Sequence, residues 1–128
     1  MDWKLLALVA LTSGIGGAGR YLLSGWATVG QYPTGTLAVN ILGCFLIGLV
    51  VFGGTIGGWL SPEARIMIGL GLLGGFTTMS TFTFETIALM ESGQHLVAAW
   101  NIGGTLVLCL GATWIGRAIG VAIWGGGG

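Results

Sequence analysis

Thr36 and Asn40 stand four residues apart, and so do Asn101 and Thr105. That spacing puts each pair on one face of a helix. Between the pairs, "GGFTTMSTFTFE" (74–85) sets Thr77, Thr78, Ser80, Thr81, Thr83 and Glu85 behind a glycine pair. These side chains are rich in neutral donors. Amide N–H and hydroxyl O–H groups in closely spaced steps can hold a small monovalent anion. The edges of Phe82 and Phe84 can assist, because an aromatic ring is positive at its rim. Formal charge enters this set only as Arg20, expected near one end, and Glu85, expected near the other. Ser80 has no histidine in its stretch, so no nucleophile–base pair is formed and the chain reads as a non-enzyme.

The surroundings of these residues are apolar. Only 6% of the 128 residues are charged and 54% are hydrophobic, with a mean hydropathy of +0.94. A soluble domain carries roughly 25% charged residues. The chain is therefore an integral membrane protein, and its zero net charge excludes a basic nucleic-acid footprint. A bilayer span needs about 20 mostly apolar residues. Charges, prolines and polar patches divide the chain into four such runs, expected at 4–26, 35–60, 64–90 and 95–124, forming one all-α domain. "SPEAR" reads as a helix start, with Ser61 as cap, Pro62 in the first turn and Glu63 at the positive dipole end. Gly74–Gly75 followed by threonines predicts a break in the third helix. Freed carbonyls there suit a hard monovalent cation, and the start of the second half suits an anion.

Polar groups inside hydrocarbon cost several kcal/mol each when unmet. Interhelical bonding answers for Thr12 or Thr113. Three helices each offering a polar stripe is more than such joints need, and the pattern points to a polar pathway. Gly14, Gly16 and Gly19 formally match a nucleotide-binding fingerprint. No strand precedes them, and a helix-packing face is the better reading; Gly103, Gly104 and Gly111 read alike. Cys44 and Cys109 lack a C-x-x-C spacing and read as small apolar residues. His95 reads as interfacial, and Trp3, Trp26, Trp59 and Trp124 as anchors near span ends. The closing glycines, Gly125–Gly128, carry no structural reading.

"GRYLLS", "PTGTLAVNILGCFLIG" and "GGFTTMSTFTFE" together resemble the fluoride ion channels of the Fluc/CrcB family across nearly the whole chain. The resemblance implies an antiparallel, dual-topology dimer in a bacterial or archaeal plasma membrane, with lipid around it and two fluoride pores. It also implies a structural sodium ion at the dimer centre, held by backbone carbonyls that fall on Gly74 and Thr77. The pore asparagine matches Asn40, and a phenylalanine pair three residues apart falls on Met79 and Phe82. The polar track falls on Ser80 and Thr81, the pore-end glutamate on Glu85, the entry arginine on Arg20, and a fourth-span hydroxyl on Thr105. Met79 departs from the phenylalanine of many relatives, though its polarised C–H groups remain available. Asn101 stands where some relatives have tyrosine and keeps a donor there.

Two other readings stay open at this point. A small multidrug or guanidinium exporter is also a four-span dual-topology dimer, but it places its essential acid in the first span, where this chain has none beyond Asp2. A non-conducting paralogue subunit of a heterodimeric channel explains the glycines but not the aligned donors. Lys4, Arg65 and Arg117 fall on the side of the termini and Arg20 towards the other, a small bias that leaves orientation mixed.

Overall fold

Helix α1 (Trp3–Ala27) starts where the Asp2 carboxylate accepts from the backbone N–H groups of Lys4 and Leu5. The computed structural model describes residues 1–126, so Gly127 and Gly128 of the terminal glycine run lie outside the described residues. A short loop closed by Thr34, whose hydroxyl accepts from Val29 N–H at 2.8 Å, leads into α2 (Thr34–Ile56). The third span has two halves: α3 (62–76) and α4 (Met79–Glu91). Helix α5 (His95–Trp124) completes four helices long and apolar enough to cross a membrane.

Ser61 caps α3 as expected, accepting from Ala64 N–H at 3.1 Å, with Pro62 in the first turn. The second helix ends at Ile56 rather than Leu60. Gly58 adopts φ +72 there, and Leu60 N–H folds back to the Gly54 carbonyl. Both α2 and α3 widen to π winding midway, over Ile47–Phe52 and Ile66–Leu73.

The break in the third span lies just past the expected place. Gly74 and Gly75 remain helical, whereas Thr77 (φ −80, ψ 159) and Thr78 (φ −150, ψ 116) are extended. Packing explains the shift. A Cβ on Gly75 would meet Ser13 backbone atoms, its Cα at 2.9 Å, so this glycine serves a helical close approach to α1. Thr78 then restarts the helix as its cap, accepting from Thr81 N–H at 3.2 Å.

Helix pairs are joined backbone to backbone at glycines, and Gly35 of α2 faces the Ser24 carbonyl of α1. In α1–α3, Gly16 faces the Leu72 carbonyl and the Phe76 N–H. In α2–α5, Gly48 faces Thr113 and Arg117, while Gly116 faces Phe45 and Leu49. Small residues permit such contacts in lipid. The packing role expected for Gly14, Gly103, Gly104 and Gly111 is not met within the chain: a Cβ on each would find open space. They lie on outward faces, and Gly116 and Gly120 do that work in α5.

The buried apolar core is small: Val39, Leu73, Phe82, Leu89 and Ala98. Large apolar side chains from every span point outward, among them Leu11, Leu70, Leu110 and Ile123. That inversion suits a chain whose solvent is lipid. Trp59 and Trp124 meet edge to face with ring centroids 5.1 Å apart, bringing the ends of the second and fourth spans together.

Candidate functional site

At the break, Asn40 of α2 takes the part of a neighbouring backbone. Its Oδ1 accepts from Thr78 N–H at 2.8 Å, and its Nδ2 donates to the Thr78 carbonyl at 3.1 Å. The N–H donor fixes which end of the amide is oxygen. In a continuous helix Thr78 N–H would go to Gly74 O and Thr81 N–H to Thr77 O. Here the first is taken by Asn40 and the second by the Thr78 hydroxyl. The carbonyls of Gly74 and Thr77 therefore lose their usual donors, and Gly74 is exposed.

The hydroxyls of the second half gather at the same place. Thr78 Oγ1 lies 3.0 Å from Thr81 Oγ1 and 3.3 Å from Ser80 Oγ. Farther along α4, Thr36 donates to Glu85 Oε1 at 2.7 Å, leaving the buried Oε2 unpartnered. Asn101 donates to Thr86 Oγ1 at 2.9 Å, and Thr86 donates to the Phe82 carbonyl. Asn101 is thus placed in the α4–α5 joint and lines none of the cavities described below. Thr105 Oγ1 is buried with no partner.

Three cavities follow this polar set. One of about 290 Å³ is lined by Asn40, Thr77, Thr78, Met79, Phe82 and Thr105, among others. The second, about 220 Å³, carries Arg20, Thr36, Thr78 and Thr81, and Arg20 supplies its only formal charge. The third, about 410 Å³, shares Tyr21, Ser24, Thr36 and Thr81 with the second and adds Glu85. Thr78 lines both smaller cavities and stands between them.

The expectation that Arg20 and Glu85 mark opposite ends is corrected here. Both border the cavities around Thr36 and Thr81. The first and third spans cross in the same direction, so residues late in each arrive on one side. Met79 and Phe82 line the same cavity but differ in exposure: Met79 is 67% exposed and Phe82 only 8%. Ser80 lies on the exposed side with Met79, Thr83 and Phe84.

Sequence reasoning missed Thr86 as a member of this set, and it placed Thr78 in the hydroxyl run without seeing its bond to Asn40. Thr78 carried a signal, being a capping-type residue after a glycine pair and three before Thr81. Thr86 carried none, because its partner Asn101 is distant in sequence.

A family model described as "CrcB-like protein, Camphor Resistance (CrcB)" matches residues 7–117. The chain belongs to the CrcB family. CrcB-family relatives include a protein of Geobacter metallireducens named "Fluoride-specific ion channel FluC", 43% identical over 114 residues, covering 87% of this chain and 92% of that one. A protein of the same name from Citrifermentans bemidjiense is 43% identical over 121 residues, covering 92% and 98%. That of Pelobacter propionicus is 41% identical over 127 residues, covering 97% and 98%.

Proposed function

We propose that this chain is a fluoride-selective passive channel that lets fluoride leave the cytoplasm down its electrochemical gradient. The observation that carries the reading is the broken third span, held open by Asn40 and bordered by cavities lined with donors. Asn40 keeps one amide hydrogen beyond its bond to Thr78, and the Thr105 hydroxyl has no partner. An unmet buried hydroxyl costs about 1–3 kcal/mol, which a bound anion offsets. Fluoride is small and tightly hydrated, so a pore must replace its water with several donors in steps. Hydrofluoric acid crosses lipid unaided and dissociates in a less acidic cytoplasm, so a passive anion pore suffices for export. The exporter reading loses its support, since α1 carries no acid between Trp3 and Ala27.

Two features favour association of two copies, which the family resemblance makes an antiparallel homodimer in a prokaryotic plasma membrane. The outer face of α4 presents the hydroxyl-bearing Ser80 and Thr83 beside Met79 and Phe84, a polar stripe on an otherwise apolar surface. Gly74 lies bare on the adjoining surface. In such a dimer the Gly74 and Thr77 carbonyls of two copies would form a four-oxygen set suited to sodium, which unwound carbonyls hold in membrane proteins. The fit rests on carbonyls deprived of their helical donors. The ion would supply charge to the joint and take no part in selectivity.

The purified chain alone in liposomes should pass fluoride electrogenically and chloride at least about 100-fold more slowly, a barrier difference of about 2.7 kcal/mol. Equal efflux of the two anions, or no flux from this chain alone, would sink the homodimeric channel. Sodium removal gives a separate check. Replacing sodium by a large organic cation on both sides should reduce flux, while a sodium gradient at constant voltage should leave its direction unchanged. Efflux following the gradient would mean coupled transport.

A further inference from the structure

The four-residue steps of the two joined helices continue one turn past Asn40 and Thr105. On α2 the four-residue steps run Thr36, Asn40, Cys44, Gly48, and on α5 they run Asn101, Thr105, Cys109, Thr113. Gly48 touches the Thr113 backbone, which sets the register of the two helices. Both helices run in the same direction, so one turn back from that contact brings Cys44 opposite Cys109. The two thiols are free and half-buried. Both line the 290 Å³ cavity that Asn40, Phe82 and Thr105 share.

We propose that Cys44 and Cys109 form a two-thiol site for a soft divalent metal ion, whose occupation plugs this cavity. Soft thiolates select soft cations. The described residues offer no group of three histidine, cysteine or acidic side chains, so a tetrahedral zinc site with four protein ligands is not provided. Two-coordinate chemistry is what remains, and mercuric ion is its simplest probe. Binding replaces two S–H bonds by two S–Hg bonds and releases two protons to water through the cavity. The product has no net charge. A monovalent soft cation held by two thiolates would leave one negative charge in an apolar wall, which burial penalises. The preference for a divalent ion follows from that balance.

The seat of the plug rests on the channel reading, but binding does not, and the two are measured separately. Titrate the detergent-purified full chain with mercuric chloride against a competing monothiol, following near-ultraviolet sulfur-to-mercury absorbance. Wild type should take up one ion per chain. Cys44→Ser and Cys109→Ser should each bind about 100-fold more weakly, since the second thiol acts at high effective concentration. Two ions per wild-type chain, or undiminished affinity in either single variant, would overturn the site. In liposomes, mercuric ion should suppress wild-type fluoride efflux and leave the Cys44→Ser/Cys109→Ser double variant at its own untreated rate. Equal suppression of both would place the blocking site elsewhere.

Discussion

Asn40→Asp should abolish fluoride flux while the protein keeps its helices and its assembly on size exclusion. Asn40 donates to one side of Thr78 and accepts from the other. Aspartate keeps the acceptor and turns the donor into a second oxygen, 3.1 Å from the Thr78 carbonyl in the present geometry. Two acceptors then face each other, and a desolvated negative charge stands where an anion must pass. Each effect costs several kcal/mol. A rise of only 3 kcal/mol in the barrier slows flux by about 150-fold, so efflux should fall to the rate of empty liposomes. Asn40→Ser separates the contributions: it removes the two-point bond without adding charge, and should leave a measurable residue of flux. Wild-type flux in Asn40→Asp would remove Asn40 from the pathway.

The adjoining glycines should respond in opposite ways to leucine. Gly75 has no room, because its Cβ would run into the Ser13 backbone of α1. Gly75→Leu must force α1 from α3, and overpacking of even a yielding core costs about 1–3 kcal/mol. The expected result is a chain that is poorly folded in detergent, with a markedly lowered thermal midpoint. Gly74 is exposed, helical, and meets only the Gly69 carbonyl at 3.5 Å. Gly74→Leu should therefore keep the midpoint of the isolated chain. If two copies meet there, the same change should shift the protein to monomer and stop flux. An intact dimer in Gly74→Leu would exclude this surface from the subunit interface. Intact folding in Gly75→Leu would contradict the α1–α3 joint.

Much of this was legible because the constraints were local. The Ser61 cap, the four apolar runs and the Thr36/Asn40 face follow from neighbouring residues and the helical period. The break was readable as glycine followed by threonine, but its placement was not. That depended on Ser13, which needs Gly75 in helical form, and on Asn40, which gives the extended Thr78 a substitute partner. The role of Asn101 was hidden for the same reason, since its spacing from Thr105 matches a lining stripe whether its amide faces a cavity or Thr86. The π winding in α2 and α3 left no signal in the spacing of apolar residues, because those spans are apolar on nearly every side.

Helix α4 contains no glycine. It is consequently the one long helical piece that cannot press its own main chain against another through a missing side chain. Its bonds to the rest are reached across side-chain lengths: Asn40 to Thr78, Thr36 to Glu85, and Asn101 to Thr86. Mechanically, the chain is two stiff beams carrying a short crank on three struts, with its pivot at the extended 77–78 link. A small rotation of that crank would change which hydroxyls it offers. A neighbour seated on α4 would therefore bear directly on the alignment of the hydroxyls that helix carries.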